Sequence, residues 1–227
     1  IEKDTLFQLL NEQIAFDDEQ DKAIGITREE FDRTLLEMQD EKKIVELNET
    51  TITSTFLYFA EILILDTVKR KGQTVGNPIL EDIESYITEK ETEMGFTFDD
   101  VQKQALKLAN EGYQLLVLCG YAGTGKSTIS KAILDILSKR YAKEDIICCA
   151  LSGIASDRIR KTSGYQSATI QSLLAKIKED DEKLPYKVVL IDEASMVNSE
   201  LLYKIFKVSE ENTLFILVGD PAQLPPI

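Results

Sequence analysis

Eight residues near the middle of the chain, Gly120-Tyr121-Ala122-Gly123-Thr124-Gly125-Lys126-Ser127, combine three glycines with a lysine and a hydroxyl. Their spacing fits G-x-x-x-x-G-K-S/T, between an apolar run and an amphipathic stretch. Glycines let a backbone turn so tightly that successive N–H groups face one anion. A helix N-terminus directly after the turn adds a favourable dipole. Such a loop cradles phosphates. Gly120, Ala122, Gly123, Thr124, Gly125 and Thr128 would line the cradle, Lys126 would set its charge against the β- and γ-phosphates, and Ser127 would be a ligand for Mg2+.

A second group lies 66 residues beyond Lys126, where Val188-Val189-Leu190-Ile191 runs into Asp192-Glu193. Four apolar residues deliver two carboxylates to the end of a strand, where open α/β sheets bind their ligands. Asp192 can hold the metal, and Glu193 can polarise an attacking water as a general base. A third apolar run ends in Gly219-Asp220-Pro221-Ala222-Gln223-Leu224-Pro225-Pro226. The neutral amide of Gln223 both donates and accepts, which suits a sensor of the γ-phosphate.

The chain of 227 residues contains no histidine, so carboxylates, lysine, hydroxyls and a bound metal must carry any chemistry. The three cysteines, Cys119, Cys148 and Cys149, sit in apolar runs without CxxC spacing, which reads as buried free thiols in a reducing cytoplasm. No apolar run reaches the roughly 18 residues of a membrane span, and no secretory leader is visible. The net charge is −14, and residues 1–90 hold 10 Lys/Arg against 21 Asp/Glu. That balance argues against a broad basic nucleic-acid footprint and allows only a local track.

These groups need a scaffold. Leu115–Cys119, Ile146–Ala150, Val188–Ile191 and Leu214–Val218 are four β-prone runs separated by helical stretches. Ile129, Ile133, Ile136, Leu137 and Tyr141 share one helix face in the first of those stretches. This alternation predicts an α/β domain with a parallel sheet covered on both faces. Ahead of it lie a short helix from Asp4, a capping box at Thr27 and Glu30, two β-prone runs around Asn48-Glu49, and a helical segment from Phe56 to Val68. Helix, hairpin and helix in that order resemble a winged-helix module, whose acidity favours protein contact over duplex contact. Lys69 to Asn77 reads as a linker. The expected division is therefore 1–77 accessory, 78–95 connecting helix and 96–227 nucleotide-binding.

The three motifs in this order resemble superfamily 1 helicases, and DEASM and GDPAQLPP resemble the RecD-like branch (1B). The resemblance implies a RecA-like P-loop fold, ATP and Mg2+ as cofactors, and movement on single-stranded DNA, 5′ to 3′. Phe98 to Ala105 resembles the family's Q motif, which implies that Gln102 reads the adenine edge. Ala150 to Ala155 resembles motif Ia, with Ser152 and Gly153 against a strand phosphate. Ala168 to Leu174 resembles the next DNA segment, which implies contacts from Thr169 and from Gln171, where many relatives carry histidine. The family motor has a second RecA-like domain with an arginine finger. Residues 1–227 are therefore expected to bind nucleotide, hydrolyse it slowly and not unwind DNA. The reading from a different class is a P-loop switch or loader that acts on a protein partner through the acidic front.

Overall fold

The computed structural model describes residues 1–17, 25–177 and 182–223. The Leu224, Pro225 and Pro226 of the third motif lie outside them. By contacts the chain divides into two compact units, 1–63 and 64–227. The division falls inside one helix, at Leu63/Ile64.

The first unit contains α1 (Lys3–Asp17), α2 (Arg28–Asp40), the antiparallel hairpin β1 (Ile44–Glu46) and β2 (Ile52–Ser54), and the start of α3 (Thr55–Gln73). Helix α2 begins where the sequence indicates: Thr27 Oγ1 accepts from the Glu30 amide, and the Glu30 carboxylate accepts from the Thr27 amide. Phe7 meets the buried Phe31 edge-on at 5.3 Å, and Ile52 is buried as well.

The second unit continues with α4 (Ile83–Met94), α5 (Asp100–Glu111), β3 (Leu115–Cys119), α6 (Lys126–Leu137), β4 (Ile146–Ala150), α7 (Gly153–Ser163), β5 (Gln166–Thr169), α8 (Ile170–Leu174), β6 (Val188–Ile191), α9 (Ser199–Lys207) and β7 (Leu214–Gly219). The five strands β3 to β7 form one parallel sheet in the order β3-β7-β6-β4-β5. Continuous apolar character in β4 and β6 matches their burial on both faces. One face carries a core that includes Leu106, Ile133, Leu137, Cys148 and Ile216. Toward the other face Phe206 meets the fully buried Phe215 edge-on at 4.8 Å.

Several sequence expectations need correction. The fifth strand, β5, was not anticipated; its residues Gln166-Ser167-Ala168-Thr169 are polar because it is an edge strand. Helix α3 runs on to Gln73 through half of the expected linker. Its extension is pinned by Lys71, a buried residue whose ammonium donates to the carbonyls of Glu211 (2.6 Å) and Thr213 (2.7 Å). The sheet is not covered throughout, since Val117 on edge strand β3 is 57% exposed. Cys119 is exposed as well, unlike the buried Cys148 and Cys149. Among the described residues no helix is long and apolar enough to cross a membrane.

Candidate functional site

The sheet order decides which motifs meet. Register pairs Cys119 with Gly219 and Ile191 with Leu217, so β3, β7 and β6 end side by side. The glycine-rich loop, the Gly-Asp turn and the acidic pair therefore leave one rim of the sheet together. Ala150 pairs with Thr169, so the segments after β4 and β5 form a second neighbourhood on the same rim. Crossovers force this arrangement, because every parallel strand must return its chain to the same starting side.

In the glycine-rich loop, Gly123 and Gly125 both have φ of +81°. A Cβ on Gly120 would approach Thr124 Oγ1 to 2.6 Å, whereas one on Gly123 would meet nothing within 4 Å. The loop is thus tight at its base and open at its crest. Gly125 is the N-cap of α6 and makes no side-chain cap, so the first amides of α6 keep donor capacity for an anion. Lys126 Nζ donates to the carbonyls of Gly120 (2.5 Å) and Tyr121 (2.8 Å). Phosphate would draw this ammonium away by offering a full charge in place of two carbonyl dipoles.

Gln102 sits at the third position of α5 in a capping box with Asp99: its amide donates to Asp99 Oδ1 at 2.8 Å, and its Oε1 accepts from the Asp99 amide at 3.0 Å. Its Nε2 donates to the carbonyl of Thr124 at 3.2 Å. One side chain therefore ties the start of α5 to the phosphate loop. Gln102, Gly120, Tyr121, Thr124 and Lys126 line a cavity of about 780 Å³.

Asp192 and Glu193 follow β6 directly. The Asp192 amide donates to the Cys149 carbonyl at 2.9 Å, which fixes the turn to β4. Glu193 adopts φ of +55°, a left-handed conformation that strains a residue carrying a Cβ, and its amide donates to Asp192 Oδ1 at 3.0 Å. Ser127 and Asp192 line one cavity of about 460 Å³ with Thr128 and Arg158. A hydroxyl and a carboxylate are hard oxygen donors that suit Mg2+, which takes few protein ligands and keeps water and phosphate oxygens. Among the described residues there is no cluster of three or more His, Cys, Asp or Glu that would make a closed protein cage.

Gln223 is exposed, its amide donates to the Asp220 carbonyl at 3.1 Å, and Ser195 Oγ stands 3.5 Å from its Oε1. The buried Asp220 shapes this turn by accepting from the Ala222 amide at 2.9 Å. On the second neighbourhood, Ser152 caps α7 by accepting from Ala155 (3.1 Å), and Thr169 caps α8 by accepting from Ser172 (3.0 Å). Each capping hydroxyl accepts and so keeps its own proton to donate outward. Ser152, Gly153 and Gln171 are exposed and Thr169 is half-buried.

Sequence reasoning missed Arg158. Its Nη2 lies 3.2 Å from Glu193 Oε1 and 3.6 Å from Asp192 Oδ2. It stands six residues after Ser152 on α7 and 34 before Asp192, and no local spacing signals that contact. Tyr165 is a packing residue: it is buried, and its hydroxyl donates to the Leu134 carbonyl at 3.2 Å.

A family model described as an AAA domain (AAA_30) matches residues 97–227. The ATP-dependent RecD2 DNA helicase of Deinococcus radiodurans is 32% identical over 121 residues, which cover 51% of this chain and 17% of that protein. The ATP-dependent DNA helicase PIF1 of Emericella nidulans is 30% identical over 148 residues, covering 56% of this chain and 20% of that protein. The chain thus spans a fifth or less of the length of these two relatives. The crystal structure of the UvsW helicase from bacteriophage T4 is similar in fold over 96% of this chain and 86% of that one, with a TM-score of 0.50 and 11% identity.

Proposed function

The chain belongs to the AAA domain family through residues 97–227, in its RecD-like and Pif1-like superfamily 1B branch, and from that premise we propose that it is the ATP-binding part of a DNA helicase or translocase. The observation that supports this reading most is the side-by-side ending of β3, β7 and β6, which gathers the glycine-rich loop, the Gln223 turn and the acidic pair on one rim. Relatives described as ATP-dependent DNA helicases support the same reading.

In this proposal the phosphates lie along Gly120, Ala122, Gly123, Thr124 and Gly125 and over the first turn of α6, including Thr128. ATP with Mg2+ supplies the phosphoanhydride whose cleavage by water drives the motor. Lys126 leaves its two loop carbonyls to neutralise phosphate charge. Ser127 and Asp192 would hold the metal. Glu193 orients water and takes its proton as general base. Gln223 senses the γ-phosphate, and Gln102 reads the adenine edge from the loop it already touches. Ser152, Gly153, Thr169 and Gln171 form a track for single-stranded DNA at the ends of β4 and β5, with movement 5′ to 3′. Residues 1–77 form a winged-helix-like accessory region that contacts a protein partner through its acidic surface, 78–95 the connection, and 96–227 the RecA-like motor domain. A cytoplasmic location completes the reading.

The test is Lys126→Ala. Removing the only phosphate-facing ammonium of the loop should weaken binding of a fluorescent ATP analogue by at least about tenfold, as charge-assisted contacts are worth about 1.5–3 kcal/mol. Normal affinity in a folded Lys126→Ala protein would overturn the assignment.

A further inference from the structure

Helices α6 and α7 both start at the rim where their strands end, and the cavity of about 460 Å³ lies between them. Ser127 and Asp192 border its rim end, where the function proposed above puts the metal and the γ-phosphate. From there it follows α6 past Ser130 and Lys131 to Leu134, a span of about 10 Å by helix rise. Resting on that function, we propose that this groove is a second phosphate site, distinct from the glycine-rich loop, which receives inorganic phosphate after ATP is cleaved.

An unsatisfied donor borders the groove. Ser130 is only 9% exposed, and its hydroxyl is the single buried side-chain polar atom among the described residues without a hydrogen-bond partner. Buried polar groups are normally paired, so an orphan beside a cavity marks where a polar ligand belongs. The next residue brings an uncommitted charge. Lys131 borders the same groove and forms no ion pair among the described residues. Its field reaches Glu93, but that carboxylate is already paired with Lys90 at 2.8 Å. Across the groove the hydroxyls of Thr162 and Ser163 donate to α7 carbonyls at 3.0 and 2.8 Å, so their protons are spent. The free hydroxyl and the free ammonium therefore both stand on α6.

The position of the groove fits the product. Gln102 meets the glycine-rich loop beside the edge strand β3, so the base end of the nucleotide lies on that side. The groove opens on the opposite side of the phosphates, below Asp192 at the end of β6. Cleavage by water leaves ADP on the loop and inorganic phosphate beside Asp192 and Glu193, whose charges repel it. The groove begins at that point and carries two cations, Arg158 and Lys131. Arg158 directs Nη2 at Glu193, and a guanidinium has five N–H donors, so capacity remains for an anion. Leu134, Ile159 and Leu190 supply apolar walls, and a cation-bearing cleft with such walls concentrates anions. Its volume falls within the range of small-ligand pockets, about 300–1,000 Å³.

The experiment titrates inorganic phosphate, followed by phosphorus NMR at constant ionic strength, into the full chain saturated with a non-hydrolysable ATP analogue. The analogue fills the loop, so any phosphate that still binds is held elsewhere. The wild type should bind phosphate without releasing the analogue. Lys131→Ala should weaken phosphate binding by about two- to fivefold, the scale of one exposed charge contact, and Lys131→Arg should restore it. Ser130→Ala should melt no lower than the wild type, since it removes an unpaired group, yet bind phosphate more weakly. In the slow hydrolysis expected of the full chain, phosphate should inhibit without competing with ATP, and Lys131→Ala should relieve that inhibition by the same factor. Phosphate that displaces the analogue, or that binds Lys131→Ala and Ser130→Ala as it binds the wild type, overturns the groove while a loss of analogue binding in Lys126→Ala leaves the nucleotide site standing. If Lys126→Ala binds the analogue normally, the nucleotide site is overturned and the product role of the groove with it.

Discussion

Gln102 Nε2 lies 2.9 Å from the point that a Cβ on Gly125 would occupy, while donating to the Thr124 carbonyl next to it. Helix α5 and the phosphate loop are thus fitted to each other through a glycine. Gly125→Ala adds two penalties, contact with Gln102 and a Cβ at φ of +81°. The left-handed conformation alone costs a non-glycine residue about 1–2 kcal/mol. The variant should melt several degrees lower and bind the ATP analogue more weakly. Gln102→Ala added to Gly125→Ala should restore only part of the loss, because it relieves the contact and leaves the backbone strain. Calorimetric melts of the single and double variants check this, and full recovery would show that backbone conformation contributes nothing.

Lys71 predicts a pH dependence. Burial holds its ammonium down from 10.5 to about 8, with Arg70 acting the same way and Glu211 opposing. The unfolded chain therefore binds more protons than the folded one between about pH 8 and 10.5, and stability contributed at this position rises with pH across that window. Below about pH 8 both states are protonated and the contribution is flat. The neutral amine still has two hydrogens for the carbonyls of Glu211 and Thr213, so deprotonation leaves both bonds in place. Lys71→Met should abolish the rise and leave two carbonyls unpaired, at a cost of about 1–3 kcal/mol. Urea unfolding at pH 7.5 and pH 9.5 for both proteins measures the difference, and identical slopes against pH would refute it.

The thiols divide two to one. Burial pushes Cys148 and Cys149 up to about 12, whereas Cys119 is exposed at the end of β3. Reaction with an alkylating reagent requires access and thiolate character. Native protein at pH 8 should therefore take one label, on Cys119, and denatured protein three. Mass spectrometry of the intact chain counts the labels. A native protein labelled at Cys148 or Cys149 would contradict the buried position of β4.

The same cysteines mark how far the sequence could be read. Strands β4 and β6 were legible because burial on both faces demands an unbroken apolar run, which Ile146–Ala150 and Val188–Ile191 provide. Strand β3 is also apolar, yet it lies at an edge with Val117 exposed, and no local pattern separates an edge from a centre. Strand β5 is polar and short, so its edge position hid it altogether. The loop at 120–127 was legible because glycine, lysine and serine must fall at fixed offsets to wrap a phosphate. Arg158 was not, since its contact with Glu193 exists only once β4 and β6 are neighbours. The extension of α3 to Gln73 depends likewise on a partner 140 residues away, the Glu211 carbonyl.

Glu193 sets stability against activity. Its φ of +55° is costly for any residue with a Cβ, and glycine would relieve that cost. Glycine also loses more backbone entropy on folding, so the net gain from Glu193→Gly should be about 0.5–1 kcal/mol. Loss of the exposed contact with Arg158 subtracts little from it. The substitution deletes the proposed general base, whose contribution to turnover is about 10²–10⁴-fold. Glu193→Gly should therefore melt higher than the wild type while strand-stimulated ATP hydrolysis by the full-length protein falls by at least about a hundredfold. Glu193→Gln should lose the same activity without the gain in melting temperature, since it keeps the Cβ. A Glu193→Gly protein that melts lower would mean that the carboxylate contributes more to the fold than its strained backbone costs. One that hydrolyses ATP at the normal rate would remove Glu193 from the proposed chemistry.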